Sequence, residues 1–126
     1  MRNEILVKSF VPAAAIAGYR IVKHDAADNR IVQSALGTDE HLGVSTFVGA
    51  SATDDTVDVV MMGIAEVELG GTVTRGDNLT SDAQGRAITA TTEGQRVIGK
   101  AMASGVVGDI QPVFLAPSVL AVAGSA

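Results

Sequence analysis

Residues 57–88 read Val57-Asp58-Val59-Val60-Met61-Met62-Gly63-Ile64-Ala65-Glu66-Val67-Glu68-Leu69, followed by GGTVTRGDNLTSDAQGRAI. Val57, Val59, Met61, Ala65, Val67 and Leu69 place apolar side chains at odd positions, while Asp58, Glu66 and Glu68 place charge at even ones. A period of two is the pattern of a β-strand with one wet face. Between those charges Val60, Met62 and Ile64 make the even face apolar too, so the strand is predicted to cross the core. Gly63 interrupts the run and marks a bulge or a close backbone approach. Gly70-Gly71, Arg75-Gly76-Asp77-Asn78 and Ser81-Asp82-Ala83-Gln84-Gly85-Arg86 are turn sequences only a few residues apart. One long strand followed by short strands on tight turns predicts an all-β fold. The expectation is a compact small β-barrel or β-sandwich with at most one or two short helical turns.

Working upstream, residues 19–23 (YRIVK) and 30–35 (RIVQSA) are strand sequences joined by the turn residues 24–29 (HDAADN), which is a hairpin pattern. Residues 38–43 (TDEHLG) carry a helix N-cap in Thr38 and a stop in Gly43, predicting a single helical turn. Residues 44–48 read as a further strand and 49–56 as a polar loop. At the N-terminus, residues 1–18 are predicted to form an extended arm. Pro12 removes a backbone donor and holds Val11 extended, and 13–17 (AAAIA) is long enough for one helical turn but not for a stable helix. Such an apolar segment is either an arm that leaves its domain to touch a neighbour or an ordinary edge strand.

Downstream, residues 96–103 form a strand with small residues Gly99, Ala101 and Ala103 on one face, and 104–109 turn into a last strand at 110–115. Pro112 cannot donate to a ladder, so this strand is expected at an edge or with a bulge. Gly76-Asp77 and Gly108-Asp109 both precede a strand, which reads as shared turn chemistry and not as a duplicated domain. The expected division is an arm at 1–18, a single β domain at 19–117 and a small-residue tail at 118–126.

Composition narrows the function. The 126 residues suffice for one domain that buries roughly two-thirds of its unfolded-chain surface. Hydrophobic residues are 47% of the chain and aromatics 3%, so the core is aliphatic. With no cysteine there are no disulfides, thiolate metal sites or thiol nucleophiles. The net charge of −5, with nine scattered basic residues, argues against a nucleic-acid surface. No window approaches the roughly 18 apolar residues of a membrane span, and no signal peptide is evident at the N-terminus.

Candidate chemistry is sparse. His24 with Asp25 and Asp28 could group around a metal, yet all three fall in a predicted hairpin turn where Asp and Asn serve the backbone. Residues 71–76 have the glycine spacing of a phosphate loop, but Asp77 stands where Lys is required and would repel phosphate. No G-x-S-x-G elbow occurs, and 77–88 lacks the ligand spacing of a calcium loop. Arg75-Gly76-Asp77 is also the tripeptide of integrin ligands, a short string that the turn explains. Glu66 and Glu68 share one strand face, where a solvated strand end is the simpler reading than acid–base work. The chain is therefore expected to be no enzyme and to need no cofactor.

Taken in order, several segments resemble a known family. Residues 63–67 (GIAEV), 70–77 (GGTVTRGD), 79–82 (LTSD) and 85–87 (GRA) are similar to the capsid cement, or decoration, proteins of tailed bacteriophages and prophages. The likeness continues upstream in 19–23 and 42–45 and downstream in 98–101, 108–110 and 115–117, so it covers nearly the whole chain. The resemblance implies a structural virion protein on the outer capsid surface, made in the bacterial host cytoplasm. It implies a homotrimer at junctions between capsomers, bound to the major capsid protein and stabilising the expanded shell. Ile5, Val7, Phe10 and Pro12 are the expected capsid-binding residues, and Val113, Leu115, Val119 and Leu120 the expected subunit contacts. Two rivals stand beside it. One is a small trimeric nucleotide hydrolase of the dUTPase kind, which residues 106–109 faintly resemble as a strand. The other is an adhesion or carbohydrate-binding module.

Overall fold

A computed structural model describes residues 3–46 and 56–120. Nine strands run in chain order: β1 (Asn3–Pro12), β2 (Ile21–His24), β3 (Arg30–Gln33), β4 (His41–Ser45), β5 (Val57–Glu68), β6 (Asn78–Ser81), β7 (Ala87–Thr89), β8 (Arg96–Ala101) and β9 (Ile110–Val119). No helix occurs among the described residues, and the all-β expectation holds. The lateral order is β1-β3-β2-β4-β5-β9-β8-β6-β7, with β1 also paired to β5. That extra pairing closes β1, β3, β2, β4 and β5 into a ring. Beyond β5 the remaining strands curl back until Leu69 bridges Ala87 in β7, which nearly closes a second ring.

β5 is the wall the two rings share, which is why its sequence is the longest apolar run. Its first half, with Val57 and Val59, enters a core made with Phe10, Ile16, Val22 and Ile31. Its second half, with Ala65, Val67 and Leu69, enters a larger core with Leu79, Ile98, Val113 and Leu115. Val60 reaches that larger core from an even position, beside its cross-strand partner Val44 and, next over, Ile21. The phase of burial therefore slips by one residue between Val60 and Ala65. Two register shifts lie there: Ile5 is extra in β1 between Glu4 opposite Gly63 and Leu6 opposite Met62, and Met61 is extra in β5. Gly63 has φ +102, and a Cβ on it would collide with the carbonyl oxygen of Asn3. The bulge expected at this glycine is there.

The hairpin of β2 and β3 forms as expected, with His24 opposite Ile31. The helical turn expected at 38–43 does not. The Asp39 carboxylate accepts from the backbone amides of Ala35 and Leu36, closing a turn behind it, and His41 already belongs to β4. Residues 13–17 also lack a helical turn; Ala13 donates its amide to Ile31 O instead. β9 is interior, between β5 and β8, and not an edge. Pro112 is tolerated because its carbonyl accepts from Met102 just past the end of β8, so its missing donor faces the place where that strand stops. The strand does carry a bulge, between Leu115 and Ser118. Of the expected segments at 44–48, 49–56 and 118–126, residues 47–55 and 121–126 lie outside the described residues, while Ser118 and Val119 belong to β9.

The two Gly-Asp turns do share their chemistry. In each, a glycine of positive φ sits third (Gly76 at +94, Gly108 at +90), and the following Asp accepts from the first amide of the turn, Thr74 or Val106. The likeness also extends to their surroundings. Leu69 N donates to Asp109 O and Gly108 N to Leu69 O; the same pair of bonds joins Ala101 with Asp77 and Gly76. Val73 and Gly105 exchange both bonds between them. Two strand–turn–strand units thus cross about a local two-fold axis, a repeat below the size of a domain.

Candidate interaction surface

The chemistry-bearing residues are tied into structure. His41 is held between two hydroxyls, with Ser34 Oγ 2.9 Å from Nδ1 and Thr80 Oγ1 3.3 Å from Nε2. Thr80 Oγ1 donates to Gly37 O, so Nε2–H donates to Thr80 and Nδ1 accepts from Ser34. Burial holds the His41 imidazole below its ordinary pKa, with Asp39 and a hydrogen bond to the Arg96 backbone opposing and the charges of Lys23 and Arg96 assisting. Ser34 is fully buried, so this Ser–His contact offers no accessible nucleophile. Asp39 is lowered in spite of its partial burial, because the Ala35 and Leu36 amides and the Lys23 ammonium, 3.0 Å away, favour the carboxylate.

Other motifs resolve similarly. The Asp77 carboxylate accepts from Thr74 N and Thr89 Oγ1, so the Arg75-Gly76-Asp77 string does not present a free acid. His24 packs edge-on against Phe10, with ring centroids 6.0 Å apart. Glu68 pairs with Arg20 at 3.3 Å. Residues 106–109 form a turn and not the strand that suggested a nucleotide hydrolase. A cleft of about 390 Å³ opens between β4 and the ends of β8 and β9, rimmed by the Glu40–Arg96 ion pair and floored by His41, Val97 and Pro117.

What remains is apolar surface. Ile5, Leu6 and Val7 in β1 are 73%, 43% and 41% exposed, three consecutive side chains of one strand. Leu6 lies opposite Met62, also exposed, and cross-strand partners share a face. Two residues along β5, Ile64 lies opposite Phe114 of β9, which is 51% exposed. Ile110 continues the outer face of β9, and the exposed Val106 and Val107 cap the turn before it. The flanks are polar: Glu66 and Glu68 on β5, Lys100 on β8. Scattered apolar residues on a surface are ordinary, whereas a continuous run across neighbouring strands is the feature that singles out a candidate interaction surface.

The structure sorts the residues expected from sequence. Ile5 and Val7 are available. Phe10, at 4% exposure, and Pro12 are buried, because β1 is a strand of the first ring and its end supplies that ring's core. β1 is thus neither detached nor wholly an edge, pairing β5 along Asn3 to Phe10 and β3 at Val11 and Pro12. Val113 and Leu115 point inward and cannot meet another subunit; Val119 is exposed beside the cleft, and Leu120 is half-buried. Leu6, Met62 and Phe114 were missed. For Phe114 the signal was an apolar residue on the face of a strand whose other face, Val113 and Leu115, is buried; Leu6, between the exposed Ile5 and Val7, carries no such signal.

The fold has a solved relative. The crystal structure of the head fiber gp8.5 N base in bacteriophage phi29 superposes with a TM-score of 0.72 at 20% sequence identity, over 92% of this chain and 98% of that one. No curated protein matches the sequence. The family model of the phage cement protein matches residues 2–109, which takes in the first ring, the crossing turns and β6, β7 and β8 of the second ring, and stops just before β9. The chain belongs to the phage cement protein family.

Proposed function

We propose that this protein is a decoration protein that binds the outer surface of an expanded tailed-phage capsid and stabilises it. Its partner in this reading is the major capsid protein, and it works as a homotrimer. The observation that carries the reading is the exposed apolar strip of β1, residues Ile5 to Val7, on a chain of the cement family. The likeness to a head fiber base agrees with a place on the phage head. Ile5 and Val7, joined by Leu6, contact the shell; Phe114 and Val119, both exposed on β9, take over the subunit-contact role from the buried Val113 and Leu115.

Physically, each copy offers a small contact, and three linked copies raise the effective concentration of the second and third. Linked weak sites gain about 10²–10⁴ in avidity when geometry lets them engage together. An expanded shell supplies that spacing and a procapsid does not, which makes binding a late step.

Co-sedimentation with purified shells tests the reading. The protein pellets with expanded shells and stays in solution with procapsids, and a double variant Ile5→Glu, Val7→Glu stays in solution with both. Wild-type protein that ignores expanded shells refutes the proposal. Removing residues 2–12 is a poor test, because it takes Phe10 from the core of the first ring.

A further inference from the structure

The link between β3 and β4, residues 34–40, belongs to the first ring but reaches across to the second. Ser34 is buried and anchors one end, its amide donating to Ile21 O. From 35 to 40 the apolar side chains are Ala35 and Leu36, and both are exposed. What holds this stretch is polar. Gly37 O accepts from the Arg96 amide of β8 at 2.7 Å and from Thr80 Oγ1 of β6 at 3.1 Å. Asp39 pairs with Lys23 of β2, and Glu40 with Arg96. A segment without buried apolar contacts opens at a lower free energy than the core beneath it.

His41 sits where these bonds converge. Neutral, it donates to Thr80 and accepts from the anchor, Ser34. An imidazolium donates from both nitrogens, so the buried Ser34 hydroxyl loses its acceptor. Burial also penalises the charge, a penalty that lifting the segment relieves. The charges facing His41 oppose one another: Asp39 and Glu40 from the segment itself against Lys23 from β2 and Arg96 from β8. β6 and the Pro117–Val119 stretch of β9 bring none.

We propose that residues 35–40 are a strap that ties the first ring to β6 and β8 while His41 is neutral and that lets go when His41 takes up a proton. Release parts Gly37 O from the Arg96 amide and withdraws Glu40 from the rim of the cleft between β4 and β9. Because His41 is held below the ordinary 6.5, the strap is tied above pH 6.5 and loosens as the pH falls through that lowered value. The device lies in the fold itself and does not depend on the capsid contact.

Hydrogen exchange of single amides tests it on the full chain, read by NMR from about pH 8 down to the onset of acid unfolding and corrected for the intrinsic rate. The Arg96 amide reports the strap, and the Leu69 amide, bonded to Asp109 O in the core, reports global opening. Arg96 should lose at least about tenfold in protection at the pH where the His41 imidazole titrates in the same samples, while Leu69 keeps its own. In His41→Gln, whose side-chain amide donates to Thr80 and accepts from Ser34 without titrating, Arg96 protection should not change with pH. His24→Gln, at the other histidine, should behave as the wild type. Arg96 protection that is constant where His41 titrates, a loss shared with Leu69, a loss that persists in His41→Gln, or a His41 that stays neutral until the chain unfolds overturns the proposal. The wild-type comparison decides by itself should His41→Gln not fold.

Discussion

Gly63 and His41 show how much depends on single residues that look unremarkable in the chain. Gly63→Ala combines a disfavoured φ with a collision against the Asn3 carbonyl. It is expected to cost about 2–3 kcal/mol, read as a lower denaturant midpoint with an unchanged slope. His41 gives a pH dependence whose sign follows from its site. Its folded pKa lies below the ordinary 6.5, so the unfolded chain binds the proton more readily. The stability it confers is complete above pH 6.5 and is lost as the pH falls through the lowered folded value. Protonation places a second N–H against Ser34 Oγ, whose own hydrogen then loses its acceptor in a buried site. His41→Gln should flatten the melting-temperature profile just below pH 6.5, and an unchanged profile would contradict this. Gly63 was legible because a glycine inside a strand pattern signals a bulge or a close backbone approach, and here it marks both. The partial burial of His41 was not, because its partners are far apart in the chain, Ser34 just past β3 and Thr80 in β6.

Among the elements, β5 was the most legible and β1 the least. The alternation from Val57 to Glu68 predicts the strand, and its doubly apolar middle marks the place where it passes from one core to the other. That same middle misleads at Met62, which is exposed, because apolarity alone does not separate a second core from a contact surface. In β1, Phe10 looks like an anchor for a partner and is instead the aromatic of the first core. Phe10→Ala should cost about 3–5 kcal/mol and lower the thermal midpoint sharply. A midpoint within a degree or two of the wild type would mean that β1 is a detachable arm after all. Residues 38–43 were misread for a local reason: the N-cap pattern of Thr38 is real, but the Asp39 carboxylate is turned back to the Ala35 and Leu36 amides.

For the whole molecule, the all-β class follows from strand periods and turn spacing, whereas closure of the two rings does not. Closure depends on pairings such as Val11 with Arg30 and Leu69 with Ala87, which have no sequence signature. The exposed apolar face is only partly legible for the same reason, since Leu6, Met62, Ile64 and Phe114 become one surface only when three strands are side by side. If the outer face of β9 joins subunits, Phe114→Asp gives a folded monomer by sedimentation velocity where the wild type gives a trimer. A wild-type monomer, or a trimeric variant, would remove β9 from the interface. Leu115→Asp is uninformative here, because at 7% exposure it buries a charge in the core.

The claim on which the rest depends is that many small apolar contacts brace a shell. The direct measurement is the temperature at which expanded shells, saturated with the protein and with no other addition, rupture and release their DNA. Saturated shells should rupture several degrees above bare ones, and shells incubated with the Ile5→Glu, Val7→Glu variant should match the bare shells. Equal rupture temperatures for bare and saturated shells would contradict the account.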